Sequence, residues 1–235
     1  MTFPVCRVEW NPGWRIIPSR FPPVNLFERV TDPSDLEAVI ELESMTNPRL
    51  RDAVGDIRLV PPQDRISGPG TSVIMAAFTH LNPEGSRFAT SSYGVFYAAY
   101  ALETAIKETS YHRARFMRAT QQPPMELDMR AYVVTVSANM IDLRGCQKTH
   151  PGLYDPDNYA ASQAMAGTLR AQGANGLIYN SVRHHGGECI AAFRPCVLSD
   201  CRQERHLCYI WDGRSISTYY EKKDFRTLVS LPVQA

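Results

Sequence analysis

Arg87, Tyr97 and Glu108 fall in one stretch between Gly85 and Tyr111, where a short apolar run gives way to a helical pattern. A guanidinium makes forked, charge-assisted bonds to phosphate oxygens, an aromatic ring stacks on a flat ligand, and a carboxylate stabilises developing positive charge. Together the three suit a phosphorylated, ring-bearing ligand. Periodicity names the elements that must present them. Val95, Phe96 and Tyr97 read as a strand after Gly94, and Leu102, Ala105, Ile106 and Thr109 recur at helical spacing. At about 100° per residue Glu108 lies beside Ala105, on the border of the buried stripe, so packing can fix its carboxylate while it faces a cleft.

Three further residues extend this set. Arg29 follows an apolar run read as a strand over Leu26 to Val30, and two guanidiniums, Arg29 and Arg87, can clamp a pyrophosphate. Ser181 lies in the strand-like run 177–183, beside a polar loop, and its hydroxyl can bond a sugar or an amide. The chain lacks a Gly-x-Ser-x-Gly elbow, so this role is positional rather than nucleophilic. Arg183 supports the anion site from the same run. Each residue also has a plainer reading: surface ion pairs for the arginines, a core position for Tyr97, a solvated helix face for Glu108. His112, four residues after Glu108, either orients it or is a structural histidine.

Composition bounds what the ligand and its setting can be. With 235 residues, 44% hydrophobic and 21% charged, the chain has the make-up of an ordinary globular protein, and one domain is expected. Lys plus Arg number 25 against 24 acidic residues, so no global field gathers nucleic acid or an anionic membrane and anion binding must be local. The start, Met-Thr-Phe-Pro-Val-Cys-Arg, lacks the features of a signal peptide, and no apolar run approaches the ~20 residues that span a bilayer, so a cytoplasmic protein is expected. The six cysteines are expected as free thiols. Cys196, Cys201 and Cys208 with His206 lack zinc-site spacing, and His184-His185 lacks a placed carboxylate or cysteine partner, so no metal is expected.

Prolines at 4, 12, 18, 22 and 23 mark residues 1–24 as an extended arm, pinned by Trp10 and Trp14. Asp32-Pro33 is an N-cap and first-turn proline for a helix carrying Leu36, Val39 and Ile40; residues 46–70 look irregular. Thr71 or Ser72 caps a second helix through Val73, Ile74, Ala77 and Phe78. The preceding Gly68-Pro69-Gly70 is no dinucleotide loop, since Val73 stands where the third glycine would fall and no clean strand precedes it. Tyr132 to Val136 is the clearest β-branched run and a central-strand candidate. Asp157 or Asn158 starts a helix that ends at Gly173. Runs on either side of His184–Gly187 read as a hairpin, and Asp212-Gly213 as a turn between two more strands. The fold class is α+β, a single domain with a mixed sheet flanked by helices.

Phe27-Glu28-Arg29-Val30, Gly85-Ser86-Arg87-Phe88, Tyr97-Ala98-Ala99, Thr104-Ala105-Ile106-Lys107-Glu108 and Asn180-Ser181-Val182-Arg183 occur in that order, and in this the chain resembles the RES-domain family over residues 25–195. Members are mostly toxins encoded with Xre-like antitoxins. The resemblance implies a bent, ADP-ribosyltransferase-like core over 25–195 with a helical insertion at 32–82, and a C-terminal hairpin extension over 196–235. It implies a site that consumes NAD⁺, with Glu108, Arg29 and Ser181 catalytic and Arg29, Arg87, Tyr97, Ser181 and Arg183 binding the dinucleotide. Three functions remain open: a toxin that cleaves the nicotinamide–ribose bond as a glycohydrolase or phosphorylase, a mono-ADP-ribosyltransferase that modifies a protein acceptor, and a non-catalytic NAD- or antitoxin-binding module. An Xre-like antitoxin is the expected partner. Gly85-Ser86-Arg87-Phe88-Ala89 stands where common members have Gly-Gly-Arg-Trp-Asn, and the longer link from Arg29 to Arg87 resembles the longer members.

Overall fold

The run Tyr132–Val136 lies at the middle of the longest strand, and the other strands are arranged around it. The computed structural model describes residues 3–19, 26–29, 32–46 and 54–223, with the backbone alone for residues 26, 29 and 42–46. Among them are strands β1 (Val5–Pro18), β2 (Phe96–Ala99), β3 (Met125–Asp142), β4 (Gly176–Asn180), β5 (Glu188–Ala192), β6 (Leu198–Trp211) and β7 (Ile216–Lys222). The sheet order is β1-β2-β5-β4-β3-β6-β7, and β1 also pairs with β3. Five strands therefore close into a ring, with β6 and β7 as a hairpin outside it. All pairings are antiparallel except β3 with β4, which makes the sheet mixed. The ring is tight between β1 and β3, registered from Val5↔Ile141 to Pro18↔Met129, but β1 and β2 share the single pair Trp14↔Ala99. Beyond that pair the two strands part.

Side-chain alternation gives the sheet two buried faces. On one face Phe96, Val134, Val136, Ile178 and Ile190 pack with helices α2 (Leu36–Thr46) and α3 (Thr71–Thr79), which contribute Leu36, Ile74 and Met75. On the other, Ala131, Leu177, Tyr179 and Ala191 pack with α4 (Leu102–Ala119) and α5 (Ala160–Ala171) through Ala105, Ile106 and Ala166. At roughly 1.5–3 kcal/mol for each fully buried aliphatic side chain, these layers supply most of the drive to fold. Residues 54–64 join the first layer: Val54, Ile57 and Val60 are buried in it, and Arg194 bonds Asp64 at its edge. Gly70, at φ 77°, caps α3; a Cβ there would meet the Cys201 carbonyl oxygen at 2.0 Å, so only glycine lets the helix dock on β6.

Several expectations need correction. The N-terminal arm is β1, a full strand of the sheet. Its prolines are compatible with this because Pro12 sits at the register shift between Trp10 and Gly13, and Pro18 at the strand end, where no ladder donor is required. Leu26 to Arg29 is a four-residue helix (α1), not a strand. Phe27, 1% exposed, plugs the layer over the sheet, and its carbonyl accepts a bond from Gly68 N at 2.9 Å, so the segment is a tertiary anchor rather than a ladder partner. The run 177–183 stops being strand at Asn180, because Ser181 N turns to the Gly187 carbonyl at 2.8 Å and closes the hairpin loop. Neither Thr71 nor Ser72 caps α3; Gly70 does. No helix among the described residues is long and apolar enough to cross a membrane.

Candidate functional site

Glu108 sits in the second turn of α4, on the border between the buried stripe and solvent, with its side chain 21% exposed. Its Oε1 accepts a bond from Ser181 Oγ at 2.6 Å. That hydroxyl oxygen in turn accepts from two backbone amides, Arg183 N at 3.1 Å and His184 N at 2.9 Å. With both amides aimed at its oxygen, the serine proton is directed at the carboxylate, so Ser181 locks Glu108 in place and is not poised as a nucleophile. The loop is held by a further bond between His184 Nδ1 and Thr104 Oγ1, 2.9 Å apart. His112 Nε2 lies 4.0 Å from Glu108 Oε2. Burial, then the charges of Arg183, Arg87 and Arg115, hold the His112 pKa below its ordinary value against the opposing pull of Glu108.

Two guanidiniums converge on the residues just before α5. Arg87 Nη1 donates to the carbonyls of Leu153 at 3.2 Å and Asp155 at 2.8 Å, and its Cζ lies 4.6 Å from the centre of the Tyr159 ring. Arg183 donates to the Pro156 carbonyl and stacks 3.4 Å from the centre of the Tyr111 ring. Arg183 reaches Ser181 through its amide and meets Arg87 at residues 155 and 156, so the fold links Glu108, Ser181, Arg183 and Arg87 in one chain of contacts, and Tyr97 is tied to the Arg87 loop through Phe88 N. The side chain of Arg29 lies outside the described residues.

Tyr97 does more than line the site. Its hydroxyl pairs with Ser86 Oγ at 2.8 Å and accepts from Phe88 N at 3.0 Å, which fixes the 85–89 loop that carries Arg87. Burial pushes its pKa up to about 12, so it remains a neutral donor. The Ser86 hydroxyl supplies this partner. Phe88, on the same loop, packs edge-on against Tyr179 with ring centres 4.9 Å apart.

Where β1 and β2 part, a cavity of about 550 Å³ opens, lined by Arg15, Ser72, Ser86, Tyr97, Arg130 and Tyr132 among others, and among the described residues by no carboxylate. Its volume lies within the range of small-molecule sites. Arg15, on β1, donates to the Tyr97 carbonyl at 3.1 Å and stacks over Phe96 at 4.3 Å, yet its Nε is sealed from solvent without a hydrogen-bond partner. Burial lowers its pKa to about 10. The Ser72 hydroxyl is likewise buried without a partner. A cation and a hydroxyl with bonding capacity to spare thus line one cavity. Sequence reasoning missed Arg15. The available signal was a charge inside the apolar run Trp14-Arg15-Ile16-Ile17, which becomes visible once residues 5–18 are read as a strand.

Among the described residues no group of three or more His, Cys, Asp or Glu is placed to hold a metal ion. A family model described as the RES domain matches residues 62–212. An uncharacterized protein of Sinorhizobium fredii, y4oC, is 34% identical over 212 residues, covering 90% of this chain and 87% of its own. Among solved structures, the M. tuberculosis MbcT–MbcA toxin–antitoxin complex contains a chain that aligns at a TM-score of 0.44 and 11% identity, over 88% of this chain and 87% of that one.

Proposed function

The chain belongs to the RES-domain family, and on that premise we propose that it is an NAD⁺-consuming toxin that cleaves the nicotinamide–ribose bond. The observation that carries this reading is the Glu108 carboxylate, locked by the Ser181 hydroxyl on a loop that also carries Arg183. Arg87 takes the pyrophosphate oxygens, with Arg183 in support, and Arg15 meets a polar group of a ring-bearing part of the dinucleotide in the apolar cavity. The C1′–N bond breaks with its electron pair going to the nicotinamide nitrogen, and positive charge builds on the ribose C1′ and ring oxygen. Glu108 stabilises that charge, and Ser181 prevents the carboxylate from swinging away as it forms. An acceptor then adds to C1′ and loses its proton. Water, phosphate and a protein side chain all balance this step. An Xre-like antitoxin is the proposed partner, and co-expression with it is expected to abolish toxicity.

NAD⁺ labelled in the adenosine part, incubated with the purified protein and then with lysate, tests this reading. Nicotinamide release with label in small molecules supports degradation, and label on protein bands moves the assignment to protein ADP-ribosylation. Calorimetric binding of NAD⁺ with no nicotinamide released in either arm would leave a binding module and overturn the enzymatic proposal.

A further inference from the structure

Arg87 and Arg183 come from different loops, yet both spend their donors on one short segment. Leu153 is buried and the Tyr154 hydroxyl donates to the Leu143 carbonyl at 2.5 Å, which anchors that segment at its start; α5 begins at Ala160 and anchors its end. Between them run Asp155 to Tyr159, with Pro156, Asp157 and Asn158 exposed. Three side chains tie these residues to the site: Arg87 through the Asp155 carbonyl and the Tyr159 ring, Arg183 through the Pro156 carbonyl, and Tyr111, whose hydroxyl donates to Asp157 Oδ1 at 2.6 Å. The segment keeps its own shape by a local turn in which Asp155 Oδ1 accepts from Asp157 N at 2.8 Å and Asn158 N at 2.7 Å.

We propose that residues 155–159 form a displaceable strap, whose backbone carbonyls occupy on Arg87 and Arg183 the places that oxygens of an anionic ligand take, so that ligand entry and strap release are one event. This rests on the reading of the two arginines as anion anchors. A carbonyl accepts a guanidinium bond but leaves the positive charge uncompensated, whereas a phosphate neutralises it and can accept two parallel bonds from one guanidinium. The strap therefore excludes weak or neutral competitors and yields to an anion. Tyr111 is the latch. It lies under Arg183 with its face and holds Asp157 with its hydroxyl, so removing the hydroxyl frees the strap while leaving the stacking surface.

Hydrogen exchange of the full chain, read at peptides covering 151–159, tests this with NAD⁺ and with inorganic pyrophosphate as separate ligands, in the wild type and in Tyr111→Phe. Faster exchange at Asp157 and Asn158 on adding either ligand is expected, because the Asp155 turn that protects both amides loses the arginine contacts that brace it. Tyr111→Phe should exchange faster without ligand and bind pyrophosphate roughly 2- to 10-fold more tightly, the equivalent of one solvent-exposed hydrogen bond. Release by pyrophosphate with indifference to NAD⁺ would keep the strap and overturn the dinucleotide reading. Nicotinamide release with unchanged exchange would do the reverse. Unchanged exchange in both ligand arms overturns the strap whatever else the protein binds.

Discussion

The Glu108 corner and the cavity at the parting of β1 and β2 are built on opposite rules. At Glu108, Ser181 Oγ has a carboxylate below it and two amides behind it, and the loop is tied again through Thr104 and His184. In the cavity, Arg15 Nε and Ser72 Oγ are sealed from water with no partner. A group that must keep one orientation through a reaction gains from saturation, because each bond narrows its positions. A surface that must receive a ligand cannot be saturated in advance, and it carries the cost of desolvated polar atoms until the ligand arrives. On the proposed function, the saturated corner carries the chemistry and the unsaturated one the recognition.

Substitutions that separate rate from affinity test this division most severely. Glu108→Gln keeps the shape and a hydrogen-bonding end but removes the charge, and kcat for nicotinamide release should fall by about 100-fold or more with KM little changed. Arg15→Met removes the buried cation but keeps a stem of similar length. It should raise KM or the NAD⁺ dissociation constant by roughly 10-fold, while folding stability stays within about 1 kcal/mol of wild type or rises, because a buried charge without a counter-charge contributes little to the fold. If the kinetic signatures were exchanged, with the Glu108 variant losing affinity and the Arg15 variant losing turnover, the two regions would have to trade roles.

Ser181→Ala follows in size. The alanine leaves the Arg183 and His184 amides and one Glu108 oxygen without their partner, which costs about 1–3 kcal/mol where such groups are kept from water. Chemical denaturation should show that loss as a lower midpoint at unchanged slope, together with a drop in kcat from the released carboxylate. Full stability in this variant would mean that water enters the corner and that its saturation is not what holds it.

The two regions also differed in how well the sequence exposed them. Glu108 and Tyr97 were legible because their placement is local: a period of two in β2 and of 3.6 in α4 fixes which way each side chain points. Ser181 was legible as the end of an apolar run before a polar, glycine-bearing loop. The cavity was not legible, since it exists only where β1 and β2 diverge after Trp14↔Ala99, a pairing between residues 85 positions apart in the chain. The prolines compounded this, reading as an arm although they fall where a strand tolerates them. The same local cue misled at Leu26–Arg29, where apolar residues beside an arginine look like a strand but Phe27 is drawn into a helical anchor by the layer above the sheet. The central position of Tyr132–Val136, the Asp32 cap and the Asp212 turn all rest on short-range chemistry, and all are present.

The smallest effect is the one that weighs the cavity by itself. Ser72 lies in the first turn of α3, 4% exposed, with a hydroxyl that has no partner. Replacing it with alanine removes a desolvated polar group, opens no sizeable void and substitutes a better helix former, so the ligand-free protein should gain about 0.5–1 kcal/mol. Thermal unfolding would report this as a rise of a few degrees. With NAD⁺ at saturation the gain should shrink or reverse, because in the complex the hydroxyl has a partner to lose, and the shift in midpoint on adding ligand becomes smaller than in wild type. A variant less stable than wild type before any ligand is added would mean that ordered water already satisfies Ser72. The cavity would then be as saturated as the Glu108 corner, and the contrast between them would rest on Arg15 alone.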